Sequence, residues 1–345
     1  MKPVLQTSDM KSYLFALLYF FTLILFIHPV FSQVSDKDIN KERKNKSLKI
    51  LVISDLNDSY GSTTYSKEVL DVVGSISTLK PDLILCGGDM VAGQKRTLTR
   101  EAIQAMWKGF DQAILQPIKA SGVPFGFTMG NHDASPSFVL DREVSASFWL
   151  NHKADVNLTF IESSHFPYYY SYLKNNVFII SWDASSSQIP EQVKSWMKEQ
   201  LDSPLAKEAR FKIVLGHLPL YALVESKNKP GEVLEHADET LQFLKENEVD
   251  LYLSGHQHVY YPAQKESVIL YHSGCLGGGP RALLGHNTDP YKAYGFIEIP
   301  KKIRNKNAVK LSAIRADDKL EVKLQDLPTQ VSGFNGSVHR IDLAK

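Results

Sequence analysis

Cysteine is scarce in this chain, with two in 345 residues. That excludes a disulfide-dense scaffold and a cysteine-rich zinc framework. Excess charge of one sign is missing as well. The 39 Lys+Arg and 38 Asp+Glu nearly cancel, which argues against a protein that holds polyanions by bulk charge, such as a nucleic-acid coat. With 20 Gly and 16 Pro the chain is neither fibrous nor low in complexity. No internal repeat is visible. The hydrophobic share of 43%, with 10% aromatic, supports a real core. The length allows one large domain or two ordinary ones.

The longest apolar run lies near the N-terminus. Tyr13 to Ile27 is uncharged, Lys2 and Lys11 precede it, and His28-Pro29 breaks it before Val30-Phe31-Ser32. That order is a secretory signal peptide over residues 1–32, cleaved after Ser32. The run is short for a bilayer span of about 20 residues. The reading is therefore export to a periplasmic or extracellular space with no stable membrane span after cleavage; an uncleaved N-terminal anchor is the alternative. Residues 33–48 are polar and charge-rich and read as a solvated linker. Cys86 and Cys275 read as free thiols.

From Lys49 onward, short apolar runs alternate with longer amphipathic stretches, the pattern of an α/β fold. The runs are too continuously apolar for half-exposed strands and read as central ones. Five of them end in residues that bind metals. Ile50 to Ser54 ends at Asp55, and Leu83 to Gly88 ends at Asp89. Phe125 to Gly130 ends at Asn131-His132-Asp133, Phe211 to Gly216 at His217, and Leu251 to Gly255 at His256-Gln257-His258. The carboxyl ends of strands in α/β sheets line one crevice, where ligands bind. Carboxylate, amide oxygen and imidazole together suit Mn, Fe or Zn. There are too many ligands for one tetrahedral zinc. Two cations about 3.5–4 Å apart, sharing a carboxylate, fit the count and can clamp both oxygens of an in-line phosphoryl displacement.

Singly, each fragment has an ordinary explanation: a strand-end Asp is often a cap or turn former. Together and in order they resemble the signature of the calcineurin-like metallophosphoesterases. The segments Asp55-Leu-Asn57, Gly88-Asp89, Gly130-Asn-His-Asp133, Gly216-His217 and Gly255-His-Gln-His258 carry that resemblance. Gly216-His-Leu-Pro-Leu and Trp182-Asp183 resemble, more weakly, the purple acid phosphatase and cyclic-nucleotide phosphodiesterase branch. The resemblance implies a four-layer α/β/β/α sandwich of two mixed sheets, with a catalytic domain over 49–300. Residues 301–345 would supply C-terminal strands completing the second sheet, and a tail.

By the same resemblance, Asp89 would bridge two divalent cations (Mn, Fe or Zn). Asp55 and His258 would complete the first, and Asn131, His217 and His256 the second. His132 would stand beside the scissile phosphate and assist the leaving group, with Asp133 fixing its tautomer. A water held by two cations is acid enough to become the hydroxide that attacks phosphorus. The family has His where this chain has Asn57. Either Asn57 ligates through its amide oxygen, which is the preferred reading, or Tyr65 or His165 replaces it, or the first cation is labile.

The loop Gly274 to Arg281 lacks the Gly-Lys-Ser/Thr of a nucleotide loop. Arg281 could grip a substrate phosphate or carboxylate, or be an exposed turn residue. Asp183 at a strand end is a candidate supporting residue of the substrate site, and Tyr168–Tyr170 and Tyr260–Tyr261 are candidate pocket walls. The alternating runs 296–299, 309–314 and 320–324 read as half-exposed strands of the second sheet. The function that emerges is an exported hydrolase of small phosphoric esters, monoester or diester, with no nucleic acid expected as partner. The alternative is a metal-binding scaffold of the same fold that has lost turnover, which Asn57 favours and the His132-Asp133 pair disfavours.

Overall fold

The computed structural model describes residues 35–287, 289–303 and 308–343. The expected signal peptide lies outside the described residues. Among the described residues no helix is long and apolar enough to cross a membrane.

Among the described residues fourteen strands follow one another: β1 (Leu48–Ile53), β2 (Leu83–Cys86), β3 (Phe125–Phe127), β4 (Phe160–Glu162), β5 (Tyr170–Lys174), β6 (Val177–Ser181), β7 (Phe211–Leu215), β8 (Leu251–Ser254), β9 (Tyr261–Lys265), β10 (Val268–His272), β11 (Ala293–Ile299), β12 (Lys310–Arg315), β13 (Gln330–Gly333) and β14 (Gly336–Arg340). They form two mixed sheets. The first has five strands in the order β12-β11-β1-β2-β3, and the second nine in the order β13-β14-β9-β10-β8-β7-β6-β5-β4. Within them β1-β2-β3 and β6-β7-β8-β10 run parallel. Of these, β2, β6, β7 and β8 are buried residue after residue, as the continuous apolar runs require of strands covered on both faces.

Helices close the outer faces, completing the four layers. In Arg100–Phe110 the buried residues are Ile103, Met106, Trp107 and Phe110, one stripe at helical spacing, and Thr99 caps the start by accepting from the Ala102 amide at 3.3 Å. In Glu191–Asp202 the stripe is Val193, Trp196, Met197 and Leu201. Side chains also tie the sheets together. Tyr170 on β5 accepts from the Phe127 amide of β3 at 3.0 Å and donates to the Phe127 carbonyl at 2.6 Å, and Ser181 donates to that carbonyl at 2.7 Å. Tyr170, Tyr260 and Tyr261 are fully buried, so these tyrosines serve the core and do not wall a pocket.

Three expectations change. The segment read as a linker contains a helix, Asp36–Glu42, and Glu42 is buried, accepting from the Asn175 amide at 2.9 Å and from Lys174 at 3.2 Å. The runs at 296–299 and 309–314 fall in β11 and β12, which join the first sheet beside β1. The 320–324 run makes only an isolated bridge, Ile314 with Glu321, and the second sheet takes its last strands from β13 and β14 instead. Alternation reports that a strand is half-exposed; it carries no information about which sheet it joins. Cys86 and Cys275 are buried free thiols.

Candidate metal centre

The carboxyl ends of β1, β2 and β3 in one sheet and of β7 and β8 in the other meet at one place. The chain must turn sharply as it leaves four of these positions. Asp55, Asp89, His256 and His258 all have left-handed backbones, with φ of 49°, 54°, 68° and 56°. Such conformations cost non-glycine residues on the order of 1 kcal/mol or more and persist only when the surroundings impose them. Two glycines provide the close approach. A Cβ on Gly88, where φ is 95°, would lie 2.7 Å from His217 Nδ1, and one on Gly130 would lie 2.1 Å from Asp89 Oδ1.

Two groups of ligand-type side chains result: Asp89, His217 and His256, and Asp55, Asp89 and His258, all buried, with Asp89 common to both. His258 Nε2 is 3.1 Å from Asp55 Oδ1, and His217 Nε2 is 3.3 Å from Asp89 Oδ2. Asn131 joins the group of Asp89, His217 and His256, its Oδ1 2.9 Å from His217 Nε2.

Each imidazole is oriented from behind by an acceptor. His217 Nδ1 faces the Gly87 carbonyl at 2.7 Å, and His258 Nδ1 faces the Gly279 carbonyl at 2.9 Å. His256 Nε2 faces Glu232 Oε2 at 2.8 Å. A carbonyl or carboxylate can only accept, so the proton of each ring sits on that outer nitrogen and the lone pair of the other nitrogen faces inward. His256 Nδ1 and His217 Nε2 thus face each other at 3.3 Å. Asp89 Oδ2 is buried with no hydrogen-bond partner among the described residues. Converging lone pairs and an orphaned carboxylate oxygen are what a cation would satisfy, so the residues fit the metals implied by the sequence.

The same field attracts protons. Burial disfavours the charged form of His217, but Asp89 and Asp55 outweigh it and lift His217 to about 9. Burial also works against ionised Asp55 and Asp89, yet His258 for the one and His217 with His132 for the other hold both carboxyls below the usual range. His256 moves the opposite way: burial, then the charge of Lys227, drive it well below its ordinary value.

His132 stands at the rim. Its Nε2 is 4.0 Å from Asp89 Oδ2, its Nδ1 faces the Gly93 carbonyl at 3.2 Å, and Tyr60 packs on the ring at 5.3 Å between centroids. Asp133 does not touch the His132 ring, which corrects the expected tautomer-fixing role. Its Oδ1 accepts from the Met90 and Val91 amides at 2.8 and 2.9 Å, and its Oδ2 from the Gly130 amide at 2.8 Å. Neighbours in a helical turn point in different directions, so adjacency in sequence separated the two side chains. Asp133 staples the β2 exit to the β3 exit, and the Gly93 carbonyl orients His132.

Asn57 donates through Nδ2 to the Val91 carbonyl at 3.2 Å, which leaves Oδ1 as its available acceptor. Tyr65 donates to the Met90 carbonyl at 2.9 Å. His165 is exposed and stacks on Tyr169 at 4.3 Å, outside the cage. The oxygens of Asp183 are met by Arg142 and, at 2.7 Å, by Ser185. Arg142 also donates to the Ala134 carbonyl at 2.8 Å, so Asp183 braces the turn that carries His132.

A cavity of about 440 Å³ opens over the cage, and Asn131, His132, His256, Lys227, Glu232 and Arg281 are among its walls. Glu232, Lys227 and Gln94 are functional candidates that sequence reasoning missed. Glu232 and Gln94 lie in loops and Lys227 in a single helical turn, Glu225–Lys227, none of which carries a periodic or motif signal. Gln94 accepts from Asn131 Nδ2 at 2.7 Å.

A family model described as calcineurin-like phosphoesterase matches residues 48–260. The chain is 30% identical over 199 residues to purple acid phosphatase 3 of Arabidopsis thaliana, covering 51% of this chain and 51% of that protein. It is 25% identical over 223 residues to a phosphoenolpyruvate phosphatase of Allium cepa, covering 64% of this chain and 43% of that one. The chain thus spans about half, or less, of the length of the curated relatives it matches. Among solved structures, purple acid phosphatase PPD1 of yellow lupin (Lupinus luteus) superposes with a TM-score of 0.60 at 15% identity, over 81% of this chain and 53% of that one. GAP50, the anchor in the inner membrane complex of Plasmodium, superposes with 0.51 at 16% identity, over 81% and 88%. At those identities the likeness is one of fold.

Proposed function

We propose a function from one premise: the chain belongs to the calcineurin-like phosphoesterase family. It hydrolyses small phosphoric esters at the cage. The observation that carries this reading is the orphaned Asp89 Oδ2, common to two groups of inward-facing ligands.

Asp55, Asp89 and His258, with Asn57 Oδ1, would hold one divalent cation; Asp89, His217, His256 and Asn131 would hold the other. Bound there, Mn, Fe or Zn would neutralise charge on the phosphoryl oxygens and acidify water. His132 supplies what the cage lacks, a proton donor. With Nδ1 held by the Gly93 carbonyl, Nε2 faces the rim beside Asp89. As the phosphorus–oxygen bond breaks, its electron pair stays on the departing oxygen, and protonated His132 delivers the Nε2 proton to it. The polar cavity of about 440 Å³ suits a small ester. The named relatives are phosphatases, which makes a monoester the first substrate to try. Export after cleavage at Ser32 is part of the proposal and rests on the apolar run Tyr13–Ile27.

The test takes protein beginning at Gln33, supplies Mn²⁺, Zn²⁺ or Fe²⁺, counts bound metal, and assays an aryl phosphate monoester and diester. Hydrolysis of at least one with about two metals per chain is expected. Stoichiometric metal without hydrolysis of either would instead establish the scaffold reading that Asn57 favours.

A further inference from the structure

One cation of the cage cavity pairs with no carboxylate among the described residues. Arg281 Nη1 is buried, and among the described residues no hydrogen-bond acceptor meets it. Lys227 is the other cation in the lining, with Nζ 3.1 and 3.2 Å from the ring nitrogens of His256 and 3.7 Å from Glu232 Oε2. Glu232 is the one carboxylate among the described lining residues, and it already takes His256 at 2.8 Å. Within the cage cavity one carboxylate therefore serves Lys227 and His256, and among the described residues none pairs with Arg281. A buried, unpaired guanidinium nitrogen is unfavourable, so a fold that keeps one does so where a ligand satisfies it.

The place of Arg281 bears on which anion that is. The residue lines the cage cavity and also a second cavity of about 610 Å³, whose charged walls are Arg315 and Lys323 with the carboxylates of Asp289, Glu321 and Asp326, none of them paired with Arg281 among the described residues. It therefore stands where the two adjoin. Its backbone amide donates to the His258 carbonyl at 3.2 Å, so the turn that carries it is anchored to the cage. A phosphoryl group held among Asp89, Asn131 and His132 would leave this boundary to the rest of the ester. The planar fork of arginine matches a carboxylate or a phosphate with two parallel hydrogen bonds.

We propose that Arg281, with Lys227, forms an anion subsite beside the metal cage, and that the natural substrate is a phosphate ester whose leaving group carries a second acidic group. This rests on the hydrolase reading above. The shared chemistry is an oxyanion on the leaving group, and a carboxylate and a second phosphate are its two sources.

Three esters separate the possibilities: phenyl phosphate, 3-carboxyphenyl phosphate and 1,3-phenylene bisphosphate, each assayed with metal-loaded wild type, Arg281→Met and Arg281→Lys. The quantity read is kcat/KM of an acidic ester divided by that of phenyl phosphate. Comparing this ratio between variants cancels the intrinsic reactivity of the esters. Arg281→Met should lower the ratio about tenfold, mainly through KM, with Arg281→Lys restoring part of it. A fall for the carboxyl ester alone identifies a carboxylate, and a fall for the bisphosphate alone a second phosphate. If Arg281→Met lowers kcat/KM equally for all three esters, the arginine holds the scissile phosphate and the subsite is overturned while the hydrolase stands. An unchanged ratio and unchanged kcat/KM overturn it also. If wild type hydrolyses none of the three, the hydrolase reading fails and the subsite with it. Thermal unfolding of Arg281→Met should match wild type, because Nη1 has no partner to lose.

Discussion

Gln94 accepts a 2.7 Å hydrogen bond from the side-chain amide of Asn131, and this decides which end of that amide faces the cage. With Nδ2 tied outward, Oδ1 is left 2.9 Å from His217 Nε2. A group that orients a ligand in this way typically affects metal affinity by about 10–100-fold when removed. Gln94→Leu should therefore weaken metal binding by about that factor, read by titration of chelator-treated protein. Gln94→Glu keeps an acceptor and should retain most of the affinity. Equal binding by wild type and Gln94→Leu would show that Asn131 needs no such support.

His132 lies at the rim and outside both groups of ligand-type residues. His132→Ala should keep its metal and lose turnover by about 10²–10⁴-fold, the usual contribution of a positioned proton donor. Metal counted per chain beside kcat separates the two effects. Loss of metal would place His132 among the ligands instead.

Asp133 holds three backbone amides from two strand exits with one buried carboxylate. In Asp133→Asn a side-chain N–H₂ would face backbone N–H groups, and at least one donor would lose its acceptor. Destabilisation by at least about 2 kcal/mol is expected, measured by denaturant unfolding in chelator. Wild-type stability in this variant would mean that the turn can re-form its hydrogen bonds without a carboxylate.

His272 on β10 is buried, touches Ser254 Oγ at 3.2 Å, and is pushed by burial from 6.5 to about 3. The folded protein keeps it neutral, whereas the unfolded chain binds a proton below the ordinary value. Stability therefore falls as pH drops below about 6.5, and the fall continues to about 3. Between about pH 7 and about pH 5 this residue alone should remove about 2 kcal/mol. Unfolding free energies of wild type and His272→Phe at the two pH values test it. The variant should lose that share of the pH dependence, and identical slopes would refute the assignment.

Legibility in the sequence followed the physics of each element. Buried strands are continuous apolar runs, so β1, β2, β3, β7 and β8 could be read directly, and the ligand-type residue follows each run within a few positions. Helix-bound residues misled where adjacency stood in for contact: His132 and Asp133 are neighbours whose side chains serve different partners. Backbone carbonyls such as those of Gly87, Gly93 and Gly279 do not register in a residue list, although they orient three imidazoles. Glu232 and Gln94 reach the cage from loops, where neither period nor motif marks them.

From the order of its residues alone, this chain determined an α/β architecture and the identity of the side chains at its strand ends, because hydrophobic period and turn chemistry are local. Tertiary structure decided the rest. It joined the exits of two different sheets into one cage, put β12 in the first sheet, gave Asp133 to the backbone and left Arg281 Nη1 without a hydrogen-bond partner among the described residues. Such outcomes depend on which distant segments come to share a dielectric and a set of hydrogen bonds, and no local pattern encodes that.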